Sequence, residues 1–136
     1  MLKPSLLAVS VLAVATASCG GGSNQLRSIA ISPAMADAQN FPNGQVQFVA
    51  TGTFTNGSKA QVSALWTLIP PFTTSPQGPV PGWISLSSSG LAKCTGVTSI
   101  PNWPIYATAA VDTSVSPSMI TMSTKTVSAT AQLTCP

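Results

Sequence analysis

The chain has 136 residues, 44% of them apolar and 5% charged, with five Lys or Arg, two Asp or Glu and no His. That length fits one domain, and the apolar share excludes a solvated disordered chain, which needs high net charge and few apolar residues. The formal charge of +3 comes from scattered residues, which excludes a nucleic-acid partner, since that requires clustered Lys and Arg to displace counterions from phosphates.

Thr, Val, Ser and Ile are abundant, and these residue types favour strands. Twelve prolines and ten glycines add frequent turns. At the N-terminus, residues 1–18 read as an export signal, with Lys3 as its positive region and Leu6 to Ala17 as its apolar region. That run is too short to span a hydrocarbon core, which takes roughly 20 residues. Two cleavage readings compete. Ala15-Thr16-Ala17 has the A-x-A form that would free a soluble secreted protein from Ser18. Thr16-Ala17-Ser18-Cys19 resembles the lipobox of bacterial lipoproteins, with Thr16 where that family prefers leucine. The resemblance implies lipidation of Cys19, retention at the bacterial cell envelope, and the membrane as a partner. Gly20-Gly21-Gly22-Ser23-Asn24 then forms a flexible tether, so residues 19–27 are the attachment cysteine and linker and residues 28–136 the folded domain.

Cysteine parity agrees with the lipid reading. Cys19, Cys94 and Cys135 are an odd number, which leaves one thiol over in an exported protein. With Cys19 lipidated, Cys94 and Cys135 are free to pair in an oxidising compartment; the alternative is two buried free thiols.

Strands are predicted where apolar residues alternate with a period of two. In SIAIS (28–32), Ile29 and Ile31 face one way. In QVQFVATGTFT (45–55), Val46, Phe48, Ala50 and Phe54 share a face. Asn56-Gly57 then signals a two-residue hairpin with positive φ at both positions. KAQVSALWTLI (59–69) directs Trp66 and Leu68 toward the core. Five prolines and two glycines in residues 70–82 mark a loop. Strand signals resume at WISLS (83–87), a Ser88-Ser89-Gly90 turn and LAKCT (91–95). PIYATAAVD (104–112) puts Ile105, Ala107, Ala109 and Val111 on one face. TVSATAQLTC (126–135) aligns Val127, Ala129, Ala131, Leu133 and Cys135, aiming Cys135 inward. About seven short strands separated by turns predict an all-β, antiparallel sandwich.

LRSIAISPAMA, GQVQFVATGTFTNGSKAQVSALWT and ISLSSSGLAKCTG, in that order, resemble the bacterial immunoglobulin-like group 2 domain. The resemblance covers residue 26 to about residue 134 and implies an immunoglobulin-like sandwich. Such domains often occur in series within large surface proteins or enzymes. The family's short connections are replaced here by the proline-rich segment at 70–82 and by VTSIPNWP at 97–104, and the two cysteines lie outside its general pattern.

Catalytic chemistry has little to work with. Without His the usual neutral-pH base is absent. Asp37 and Asp112, the two carboxylates, stand 75 positions apart, and each reads more simply as a turn residue than as half of a glycosidase pair. A Ser–Lys dyad with Lys59, Lys93 or Lys125 has no support from spacing. Cysteine and carboxylate numbers are too low for a dedicated zinc or calcium site. The expectation is a protein that is not an enzyme and has no cofactor or metal. Phe72, Trp83 and Trp103, in or beside the divergent loops, are the candidate binding surface for a protein or polysaccharide ligand of the envelope. A carbohydrate-binding accessory module is the alternative function, and plugging the open end of a sandwich is the alternative role for the rings.

Overall fold

The computed structural model describes residues 24–69, 71–72, 82–96 and 102–136. Cys19, the predicted export segment and most of the proline-rich stretch lie outside the described residues. Among the described residues ten strands follow in chain order: β1 (Leu26–Ser32), β2 (Met35–Asp37), β3 (Gln45–Gln47), β4 (Val49–Phe54), β5 (Lys59–Gln61), β6 (Leu65–Thr67), β7 (Ile84–Leu86), β8 (Leu91–Cys94), β9 (Trp103–Ala110) and β10 (Thr126–Thr134). Single 3₁₀ turns lie at Ala38–Asn40, Pro42–Gly44 and Pro117–Met119.

The strands pair in the orders β1-β4-β5, β2-β10-β9-β6 and β3-β8-β7. β3 and β4 are consecutive pieces of one extended run, so the first and third sheets join through it into one layer. That layer faces the four-stranded sheet across a single core. The result is a sandwich-like, largely antiparallel all-β domain, consistent in general terms with an immunoglobulin-like arrangement.

Three departures turn the seven predicted strands into ten. The predicted strand 45–55 divides at Phe48, because its first half pairs with β8 and its second half with β1 and β5. Phe48 itself donates its N–H to Gly90 O at 2.9 Å, and Gln47 Nε2 donates to Phe48 O and Ser89 O at 2.9 and 2.8 Å. The backbone groups at the division therefore stay satisfied. The predicted strand 59–69 divides between the layers, with β5 on β4 and β6 on β9. β2 carries no alternation long enough to be seen in sequence. It pairs parallel to the end of β10, aligning Met35, Ala36 and Asp37 with Gln132, Leu133 and Thr134, so the sandwich is not wholly antiparallel.

β1 begins at Leu26, two residues before the predicted start. A bulge between Leu26 and Ser28 inserts Arg27 as an extra residue, which points outward. The insertion restores Leu26 to the inward face shared by Ile29 and Ile31, opposite Phe54, Gly52 and Ala50. Gly52 leaves the space that Leu26 and Val62 fill, since a Cβ there would collide with both.

The core contains Val46, Phe48, Ala50, Ile84, Ala92, Ile105, Ala107, Ala131 and Leu133, with Cys94 and Cys135 at its edge. Phe48 is its largest fully buried side chain. Central β9 is buried on both faces at its end: Thr108, Ala109 and Ala110 are all covered, and the Thr108 hydroxyl pairs with Ser128 Oγ at 3.0 Å. Cys94 of β8 and Cys135 just after β10 form a disulfide with a Cα–Cα separation of 5.7 Å. The bond crosses from one layer to the other and closes 41 residues of sequence.

Candidate functional site

Strand direction sorts the chemistry-bearing residues between two poles. At one pole β7 begins after Trp83 and β9 begins at Trp103, with Leu133 of β10 opposite Trp103 and Cys94 of β8 opposite Ile84. The disulfide therefore lies beside the two tryptophans. Their rings meet edge to face, with centroids 5.9 Å apart and planes at 86°, a favoured arrangement of aromatic quadrupoles. Trp103 Nε1 donates to Leu68 O at 3.0 Å, and Trp83 O accepts from both the N–H and the hydroxyl of Thr95 at 2.7 and 3.1 Å. Both rings are half-buried and pack, with Leu68, against the core. One indole N–H is thus already committed inside the fold.

Phe72 is different. It is 41% exposed, with a left-handed φ of 61°. Among the described residues the one aromatic ring pair is Trp83–Trp103. The structure thus brings together two of the three predicted aromatics, as a packed corner rather than an open platform, and does not stack Phe72 on them.

A groove that the sequence did not suggest runs along the flank of the sandwich. Two adjoining cavities of about 450 and 630 Å³ share Gln61, Val62, Ser63 and Pro117. One is walled by Leu26 and Phe54, the other by Phe48, Trp66 and the Ser88-Ser89 turn. It exists because the chain leaves β4 after Val62, whose N–H still donates to Ala50 O at 3.0 Å, and crosses to β9 at Leu65, opening a gap between β5 and β8. Periodicity could not reveal it, since it depends on which strands fail to pair. Serine hydroxyls line the groove, and none of its described lining residues is charged.

The carboxylates are held by their own turns. Asp37 Oδ1 accepts from Gln39 N–H at 3.0 Å. Asp112 Oδ1 accepts from the Ser114 hydroxyl at 2.7 Å and its N–H at 3.0 Å. These bonds favour the charged form, the hydroxyl most, and hold the Asp112 carboxyl below the usual carboxylate range. Asp37 is level with Thr134 and Asp112 follows the β9 residue opposite Thr126. The length of β10 therefore separates them, about 26 Å at roughly 3.3 Å per residue. Among the described residues no three of His, Cys, Asp and Glu gather as a metal site, and Lys59, Lys93 and Lys125 are all exposed. No helix among the described residues is long and apolar enough to cross a membrane. No family model matches the sequence, and no curated protein matches it either.

Proposed function

We propose that this chain is a non-enzymatic, lipid-anchored protein of the bacterial envelope. Its immunoglobulin-like domain, of the bacterial group 2 type, serves recognition, adhesion or structural support at the cell surface. The observation that carries the non-enzymatic reading is the separation of the two carboxylates. Paired-carboxylate hydrolysis needs the two groups within roughly 5–10 Å of one bond, and here a whole strand length lies between them. The groove adds hydroxyls without a base. The group 2 reading rests on the quoted motifs, whose Asn56-Gly57 and Ser88-Ser89-Gly90 segments fall at hairpin turns of the fold.

Anchoring through Cys19 rests on the apolar segment, the lipobox-like residues and cysteine parity, since the Cys94–Cys135 disulfide leaves Cys19 as the odd thiol. The test is metabolic labelling with a radioactive fatty acid, followed by membrane fractionation. The wild-type chain is expected to carry label and sediment with membranes. Cys19→Ser is expected to lose the label and leave a globomycin-insensitive precursor. Equal membrane recovery and processing of both forms would refute the anchor. The carbohydrate-binding alternative gains nothing from the tryptophan corner, whose rings face each other and the core.

A further inference from the structure

The pole opposite the tryptophans is where the described chain begins, and its charge is lopsided. Leu26 N–H donates to Val111 O at 3.0 Å, Val111 N–H to Lys125 O at 2.9 Å, and Thr55 N–H to Gln25 O at 2.9 Å. Asn24 Oδ1 accepts from Thr55 Oγ1 at 3.3 Å and Asn56 N–H at 3.4 Å. The chain start, the 54–58 turn and both ends of the 112–125 loop are therefore one surface. It carries Arg27 in the bulge, Lys59 opposite Thr53, and Lys125, all exposed, against the single carboxylate Asp112. Among the described residues, the charged groups at the tryptophan pole are Lys93 and Asp37. Beside Lys125, the tight Thr121–Thr124 turn, closed by Thr124 N–H to Thr121 O at 3.0 Å, holds Met122 77% exposed, while Ile120 tucks into the fold.

We infer that this pole docks the domain onto an anionic lipid surface, with Arg27, Lys59 and Lys125 facing the headgroups and Met122 entering the interface. The inference rests on anchoring at Cys19. Five residue steps lead from Cys19 to Asn24, a reach of at most about 18 Å when fully extended. That is roughly two Debye lengths at physiological salt, so the tether confines this pole to a thin layer beside the membrane, and the surface field acts on it whenever it closes to within one Debye length, about 8 Å. A soluble protein would not hold it there. Each basic residue near an anionic bilayer shifts the docked-to-free ratio roughly five-fold. Three cations against one carboxylate at the tethered pole, and a balanced pair at the other, therefore orient the domain with its tryptophan pole outward.

The lipidated protein purified from membranes would be reconstituted in vesicles of phosphatidylcholine alone or with phosphatidylglycerol, and read by flotation and amide hydrogen exchange. Expected is flotation with both, and slower exchange of the 54–58 turn and 112–125 loop on the anionic vesicles alone. That protection should disappear in high salt and in the Lys59→Glu/Lys125→Glu variant, whose docked ratio is expected to fall by about twenty-fold or more. Both lysines are exposed, and unchanged exchange of β8–β10 shows that the variant is folded. Flotation with equal exchange on the two vesicle types would overturn docking and leave anchoring intact. Failure to float would overturn both. Protection that survives charge reversal and salt would show the contact to be something other than electrostatic docking, and would also overturn the inference.

Discussion

Asp112 owes its environment to a residue two positions along the chain. Its carboxylate binds both donors of Ser114 in an Asx turn, and Asn56 binds the N–H and hydroxyl of Ser58 in the same way at 2.9 and 2.7 Å. Because the folded-state pKa of Asp112 is depressed, its contribution to stability is complete at neutral pH. That contribution is lost as pH falls through the folded value. A carboxyl-detected NMR titration is expected to show Asp112 staying ionised to lower pH than a free aspartate, with Ser114→Ala moving it back upward. A wild-type Asp112 that titrates as a free carboxylate would mean that the Ser114 bonds do not persist in solution. That Asp112 and Asn56 sit in turns was legible in the sequence, whereas the bonds to Ser114 and Ser58 were established by the structure.

The two hairpins share one construction that differs from the prediction for the first. Gly57 N–H bonds Phe54 O at 2.9 Å and Phe54 N–H bonds Ser58 O at 2.9 Å; likewise Gly90 N–H bonds Ser87 O at 3.1 Å and Ser87 N–H bonds Leu91 O at 2.9 Å. Each is a three-residue loop ending in a glycine with φ of 82°, and Asn56 does not adopt the positive φ that a two-residue turn requires. The two glycines nevertheless do different work. A Cβ on Gly57 would meet open space, whereas one on Gly90 would come within 2.6 Å of Phe48 O and 2.8 Å of the Trp66 ring. Gly57→Ala is expected to cost about 1–2 kcal/mol, the left-handed penalty alone. Gly90→Ala adds a backbone collision where β3 gives way to β4, and about 3 kcal/mol or more is expected. Urea unfolding of both variants checks this, and equal losses would refute the collision. Sequence alone marks both as turn glycines; only packing separates them.

For the whole molecule, the disulfide ties the layers at the tryptophan pole, while the opposite pole is closed by backbone hydrogen bonds around Leu26 and Val111. Closing 41 residues contributes about 4 kcal/mol on the chain-entropy account. Urea unfolding with and without reductant is expected to differ by that amount, and alkylation without reductant should leave Cys94 and Cys135 unmodified. A midpoint indifferent to reductant would contradict the assignment. A small domain has little stability to spare, so the reduced form is expected to fray first at the tryptophan corner.

The sequence by itself determined the all-β class, most strand faces and the inward aim of Cys135, because period-two alternation and turn chemistry act over a few residues. The distance between Asp37 and Asp112 was left open, since residues 75 positions apart in sequence can meet in a fold, and strand pairing set it. Tertiary structure decided which strands pair. The alternation Val46, Phe48, Ala50 runs unbroken through the point where the chain changes partners, since the same face stays inward while the neighbours on either side are exchanged. β2 depends on three backbone partners in β10 rather than on its own pattern. The groove at Val62, the tryptophan corner and the charge difference between the poles all follow from that pairing. Each arises from residues far apart in sequence, whose proximity no local periodicity encodes.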